Sequence, residues 1–410
     1  MSPGKHSAQG TGRPNRREVD ARILESVRQR AMASGGQLDA VALAGAVQDS
    51  GAALGSSGAA ESLKALQDEV TGLSVLEPFA QLPEVTDVLV DGQGRVWTDS
   101  PRGLELTDYV FGSAEQVRRL AVHLATLSGR RLDDASPFMD MSLKHYRVHA
   151  VLPPIATQGP LISIRVKKTQ ALDLSGVLEN TASWWRPLLE EIMRRELNFL
   201  ITGGTGSGKT TLLQAMLSLA HQGQRIIVVE DSQELQVDHH HVVSMQTRAA
   251  NVEAAGTIEL RDLVIQALRM RPDRLIVGEC RGAEIRDFLA AMNTGHQGAA
   301  GTLHANNPEA VPARLAALGA LAGWNLQATA LQASSALDLV IHMSRGPQGR
   351  RGPVALGILG TDRDGHMRVD TVIDTQRTDA IDSSFMPLLE QKVGANTLKA
   401  IVEALADGAR

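Results

Sequence analysis

The sequence predicts an α/β protein, with a parallel sheet flanked by helices, a smaller α+β domain before it and a helical arm at the start. Three observations carry this reading. In the C-terminal half, short apolar segments at 198–202, 225–230, 274–278 and 300–304 alternate with helical patterns at 209–220, 260–270 and 308–321, and such alternation folds as a parallel sheet between helices. A glycine-rich phosphate-binding signature joins the first of these strands to the first of these helices. Upstream, strand signals cluster around one strong amphipathic helix.

Bulk properties bound the answer. At 410 residues the chain exceeds one ordinary core and is expected to hold two or three domains. Hydrophobic residues are 43% and charged residues 21%, ordinary for a globular protein. Forty-one basic against 46 acidic residues leave a net charge of -5, which gives no electrostatic case for a dedicated DNA binder. No run approaches the ~18 apolar residues of a membrane helix, and the polar start has no apolar leader core, so a soluble protein without a secretory leader is expected. The single cysteine, Cys280, excludes an internal disulfide and a tetracysteine zinc site and suits a reducing compartment. With only 3% aromatics, the core must be built from Leu, Val, Ile and Ala.

Residues 1–15 have the composition of a disordered tail. Val19, Ile23, Val27 and Ala31 mark one face of a helix over 16–33, stopped by Gly35 and Gly36, and 49–60 reads as a linker. Residues 1–60 are therefore expected to be a tail and helical arm, and 61–178 an α+β domain. In that domain, 87–91 and 95–98 flank a glycine-containing turn and read as a hairpin. Ser113 and Gln116 fit a capping box. It opens a helix with the stripe Val117, Leu120, Ala121, Leu124 and Leu127, ended by Gly129. Strands are expected at 147–152 and 161–166.

The region 179–410 carries the chemistry. Gly203, Gly204, Thr205, Gly206, Ser207, Gly208, Lys209 and Thr210 spell G-x-x-x-x-G-K-[ST] in full, with a strand before and a helix after. Glycines let backbone N–H groups wrap a β-phosphate at a helix N-terminus. Lys209 reaches the β- and γ-phosphates, and the Thr210 hydroxyl suits Mg²⁺. Glu230 and Asp231 end an apolar strand, where carboxylates face a ligand crevice. Either can orient water or hold magnesium through water, and a strand-end cap explains them equally. Glu279 ends the apolar run 274–278, with Arg281 two residues on. That placement suits a carboxylate orienting water or completing the Mg²⁺ shell, while a Glu–Arg ion pair is the structural alternative.

His296 and His304 bracket a Gly-rich strand at a spacing unsuited to zinc, and can instead donate hydrogen bonds beside a γ-phosphate. The run 238–241 (Asp-His-His-His) invites a metal, yet consecutive strand residues face alternate sides, so a polar loop is the better reading. The basic residues are 33 arginines against eight lysines. Guanidinium groups at Arg147, Arg165, Arg269 and Arg271 suit phosphate clamping, but each reads by default as a surface residue.

The motifs GGTGSGKTT, VVEDSQEL, RMRPDRLIVGECRGAE and AMNTGHQGAAGTLHAN, in that order, resemble the type II/IV secretion ATPase superfamily. Within it they are most similar to the Tad/Flp pilus-assembly (CpaF-like) branch, including actinobacterial members associated with conjugal transfer. TDVLVDG, VWTD, GRRLDDASPFMDMSL, RVHAVLPP and ISIRV extend the likeness over about residues 60–345. The resemblance implies a homo-hexameric ring whose subunits join an N-terminal domain to a RecA-like P-loop domain with a C-terminal β/helical extension, ATP lying between the two. It makes Gly203 to Thr211 the Walker A segment, with Thr210 and Glu279 toward Mg²⁺. Glu230 becomes the water-activating acid, Glu279 the Walker B acid and His304 the principal His-box residue, with His296 beside it. Arg147 and Arg165 match arginines that reach the γ-phosphate, and Arg269, Arg271 and Arg281 match those of the Walker B region.

Three positions depart from the pattern. Lys144-His145-Tyr146 replaces a glycine turn, Gln297 an acid and Ala255 a glycine. The missing tetracysteine motif argues against the general-secretion branch. The implied work is ATP-driven pilus assembly or secretion at the cytoplasmic face of a membrane, attached through inner-membrane platform proteins. Two rivals stand beside it: energising DNA transfer or uptake, for which the charge gives no support, and a nucleotide-binding scaffold.

Overall fold

The computed structural model describes residues 72–143, 146–167, 172–179, 181–248, 256–346, 349–376 and 382–408. The expected arm at 1–60 lies outside them, as do Lys144, His145 and Ala255. The chain divides into two compact units at Lys167 and Lys168.

In the first unit, a short helix α1 (Glu77–Ala80) leads into an antiparallel sheet. Its strands are β1 (Asp87–Val90), β2 (Arg95–Ser100), β3 (Gly103–Val110), β4 (Phe138–Leu143), β5 (Tyr146–Val151) and β6 (Leu161–Val166), in the order β3-β2-β1-β6-β5-β4. The β1–β2 turn uses Gly94 at φ +76°, a conformation that costs glycine little. Strict alternation along β4, β5 and β6 buries Met139, Met141, Val148, Ala150, Ile162 and Ile164 together. Helix α2 (Ala114–Leu127) covers that face with Val117, Leu120, Ala121, Leu124 and Ala125. The expected stripe included Leu127, which is exposed at the last residue of the helix, while Ala125 packs inward. Only half of the expected capping box forms: Ser113 Oγ accepts from Gln116 N at 3.3 Å, but the Gln116 side chain accepts from Gly112 N. The sequence reading missed β3 and β4.

The second unit starts with α3 (Leu174–Leu178) and α4 (Trp185–Arg194) and then alternates strand and helix. In order these are β7 (Phe199–Gly203), α5 (Lys209–Leu217), β8 (Ile226–Glu230), β9 (Val242–Gln246), α6 (Leu260–Leu268), β10 (Arg274–Cys280), α7 (Glu284–Asn293), β11 (Ala300–His304), α8 (Val311–Leu321) and α9 (Leu326–Ala336). Strands β12 (Leu339–Arg345), β13 (Arg351–Thr361) and β14 (Met367–Asp374) follow, then α10 (Met386–Val393) and α11 (Ala395–Gly408). The sheet runs β14-β13-β12-β7-β11-β10-β8-β9. All pairings from β12 to β9 are parallel, and β13 and β14 add an antiparallel edge.

Strands β7 and β8 are buried at every residue because helices cover both faces. Phe199, Ile201, Ile226 and Val228 join one core with α4, α5 and α10. Leu200, Ile227 and Val229 join another with α6, α7, α8 and α9. The period-two alternation thus builds a helix–sheet–helix sandwich from near-continuous apolar runs. Arg274, 1% exposed, opens β10 and ties three segments at the end where the parallel strands begin. Its guanidinium donates to Gln224 Oε1 (2.8 Å), Met193 O (2.7 Å) and Gly298 O (3.4 Å).

Candidate nucleotide-binding site

The site sits where the parallel strands end. Strand β7 runs into the loop 204–208, and Gly203, Gly206 and Gly208 hold φ of +148°, +71° and +95°. These left-handed values need glycine. At Gly203 a Cβ would stand 2.5 Å from Met343 O and 2.6 Å from Ser207 Oγ, whereas at Gly204 and Gly206 it would meet nothing within 4 Å. The loop is therefore wedged at its root and open at its rim. Lys209 opens α5, and its ammonium donates back to Gly203 O (3.0 Å) and Gly204 O (2.9 Å). Burial lowers its pKa, the Glu279 carboxylate opposes that shift, and the Arg281 charge adds to it.

Ser207 Oγ is buried with no hydrogen-bond partner among the described residues. The open rim, that orphaned hydroxyl and an N-terminal helix turn led by Lys209, Thr210 and Thr211 fit a phosphate chain and its magnesium. On the far side of the loop, the stem of Arg351 lies 3.8 Å from where a Gly208 Cβ would stand. The sequence reading did not single out Arg351.

Neighbouring strands bring acids to this loop. Glu230 ends β8 and is buried, and its Oε1 accepts from Glu234 N and Leu235 N, both at 3.1 Å. It thus closes the turn after β8, as the capping alternative foresaw, while lying across β10. A Cβ on Gly278 would stand 2.7 Å from Glu230 Cγ, so only glycine lets the two strands share that space. The β10–β11 register slips between Val277 and Cys280, a bulge that re-aims Glu279. Glu279 Oε2 accepts from Arg281 Nη2 at 2.5 Å, and Arg281 Nη1 lies 3.9 Å from Asp231 Oδ2. Thr302 Oγ1 donates to Gly278 O at 2.6 Å, pinning the bulge to β11. His304 ends β11 in register with Gly203, so it flanks the root of the loop.

His342 was not anticipated. It pairs in register with Thr202, and its Nδ1 lies 2.9 Å from Thr202 Oγ1 behind the loop. Burial holds its pKa below the ordinary value, opposed by Glu309, Asp374 and a hydrogen bond to the Asn306 backbone. On acidification the unfolded chain takes up this proton first, near pH ~6.5. The stability His342 secures at neutral pH is therefore lost as pH falls from there through its folded pKa. Thermal melts should show a wild-type loss as pH falls below about 6.5 that His342→Gln flattens; equal slopes would contradict this.

Other expected site residues lie elsewhere. His296 precedes β11, at the end where the strands begin, and its Nδ1 is 3.2 Å from Ala291 O. There it lines an open polar cavity of about 550 Å³ with Glu196, His221, Gln224 and Asp273. Arg269 and Arg271 are exposed between α6 and the start of β10, at that same end. The structure does not bring these three to the phosphate loop. Parallel strands separate their two ends by the full strand length, about 15 Å for five residues. In the first unit, Arg147 pairs with Asp140 (2.7 Å) and Arg165 with Asp87 (3.2 Å), and the two arginines face each other across β5 and β6. His239, His240 and His241 stack with ring centroids 5.0 and 6.4 Å apart and do not converge on a common point.

Comparison with known proteins matches this architecture. A family model described as "Type II/IV secretion system protein" matches residues 114–376. A Mycobacterium tuberculosis protein named for conjugal transfer is 45% identical over 336 residues, 79% of this chain and 94% of its own length. The conjugal transfer protein TrbB of Rhizobium radiobacter is 33% identical over 230 residues, 53% of this chain and 67% of its own. Among solved structures, the pilus retraction motor PilT with bound ADP gives a TM-score of 0.51 at 18% identity, covering 81% of this chain and 92% of PilT, a likeness of fold. The fold is the RecA-like α/β type that the motifs implied. With the matched segment spanning well over half its length, the chain belongs to the type II/IV secretion system protein family.

Proposed function

We propose that the chain is a Mg²⁺-dependent ATPase, working as a ring of six and powering pilus assembly of the Tad/Flp kind or protein secretion. The observation that carries this reading is the convergence at one end of one sheet of the glycine cradle, Lys209, Glu230, Glu279 and His304. In this reading Lys209 leaves its own loop carbonyls to grip the phosphates. The Thr210 hydroxyl, and Glu279 directly or through water, hold magnesium, which neutralises phosphate charge. Glu279 or Glu230 orients the attacking water, and His304 donates toward the γ-phosphate. Arg147 and Arg165 supply further cationic charge.

Among the described residues no helix is long and apolar enough to cross a membrane. In this reading the motor works at the cytoplasmic face and is attached through inner-membrane platform proteins. Phosphate release per chain, followed against protein concentration with parallel mass measurement, tests the reading. Turnover should rise with concentration and level off where the mass reaches six chains. A scaffold would assemble on nucleotide and release no phosphate.

A second reading is favoured by the 45% identical relative named for conjugal transfer. In it the same motor energises DNA transfer. DNA-stimulated turnover with a steep salt slope would select it, against a net charge of -5 that gives direct DNA contact no help.

A further inference from the structure

We infer that Glu284 is a positioning residue for hydrolysis, acting through Arg281 on Glu279; this rests on the ATPase reading above. Glu284 is the first residue of α7 and is only 5% exposed. A carboxylate taken that far out of water must be held by donors to be tolerated. Its Oε1 accepts from two consecutive backbone amides, Arg281 N at 2.6 Å and Gly282 N at 2.7 Å. The turn is shaped around it, since a Cβ on Gly282 would stand 3.0 Å from Glu284 Oε2.

This turn joins β10 to α7, and Ala283, at the helix start, makes no side-chain cap hydrogen bond. Glu284 therefore caps from inside the helix, reaching back over the residues that precede it. What it fixes is the residue that matters chemically. Arg281, pinned by its amide, sends its guanidinium back to Glu279 Oε2 at 2.5 Å and toward Asp231 at 3.9 Å. Arg281 thus spans the ends of β8 and β10, and its backbone anchor decides where the Glu279 carboxylate stands.

A small displacement of an orienting carboxylate costs turnover far more than it costs nucleotide grip. In the ATPase reading Lys209 and the glycine loop do the gripping, and the Lys209 ammonium is held by Gly203 O and Gly204 O. The inference therefore separates kcat from binding.

The test uses the full-length protein, with phosphate release for kcat and a fluorescent ATP analogue for Kd. Glu284→Ala should lower kcat about 10- to 100-fold while Kd stays within about threefold, which also shows that the variant is folded. Glu284→Gln, which keeps an acceptor oxygen, should recover most of the rate. In a double-mutant cycle, adding Glu284→Ala to Arg281→Ala should cost nothing beyond Arg281→Ala alone, because both act through one side chain. Additive losses, a Glu284→Gln rate as low as that of Glu284→Ala, or an unchanged kcat in Glu284→Ala would each overturn the role. A wild-type protein without turnover would instead remove the ATPase reading itself.

Discussion

Replacing Lys209 with alanine should abolish both ATP binding and hydrolysis. The ammonium donates to Gly203 O and Gly204 O, at 3.0 and 2.9 Å. These are neutral acceptors, and exchanging them for phosphate oxygens turns ordinary hydrogen bonds into doubly charged ones. Two such bonds, at about 1.5–3 kcal/mol each, amount to a loss of roughly 10²–10⁴-fold in affinity. Calorimetric titration with ATP in the presence of magnesium reads the loss, and a phosphate-release assay should show no turnover above background. Retained turnover would sink the assignment of this loop. Alanine also unties the loop from its own carbonyls, so Lys209→Arg is the informative companion. It keeps the charge but does not fit the same pair of carbonyls, and should bind weakly rather than not at all.

Glu279→Gln should do something different, leaving binding nearly intact and slowing hydrolysis by about 10²–10⁴-fold, the range for removing a positioned acid–base group. Glutamine keeps the size of the side chain and an oxygen for Arg281, now 2.5 Å away, but cannot accept a proton from water. The expected signature is tight ATP binding with stalled turnover, read by comparing Kd with kcat on one preparation. A parallel rise in Kd would move Glu279 from orienting water to holding the metal–phosphate complex. Unchanged kcat would pass the water-activating role to Glu230, whose Oε1 is engaged with Glu234 N and Leu235 N.

How much of this was written in the sequence differs from residue to residue. The loop 203–210 and the strands β7, β8, β10 and β11 were legible because a fixed motif lies between apolar runs that helices cover on both faces. The side of the sheet beyond β7 was foreseen only as a β/helical extension, with no strand placed in it. Strand β13 contains Pro353, Gly357 and Gly360, which read as breakers; antiparallel pairing and a register shift near Leu356 accommodate them. His296, Arg269 and Arg271 stand near motif residues along the chain and far from them in space, because proximity in sequence does not tell which end of a strand a residue occupies. Glu284 and Gly278 lie inside the quoted motif RMRPDRLIVGECRGAE, yet the sequence assigned neither a role. Their roles come from a shared turn and a shared gap between strands, which no spacing rule encodes. His342 belongs to none of the motifs, and its bond to Thr202 spans 140 residues.

The place of β7 in the sheet has a mechanical consequence. It is fourth of eight strands, paired along its length with β12 on one side and β11 on the other. Backbone amides there can exchange with solvent only when a large part of the unit opens, whereas β9 and β14 can fray alone. Load applied to the phosphate grip is thus borne by the stiffest line of the sheet, and any yielding of the protein under that load is pushed out to its rims.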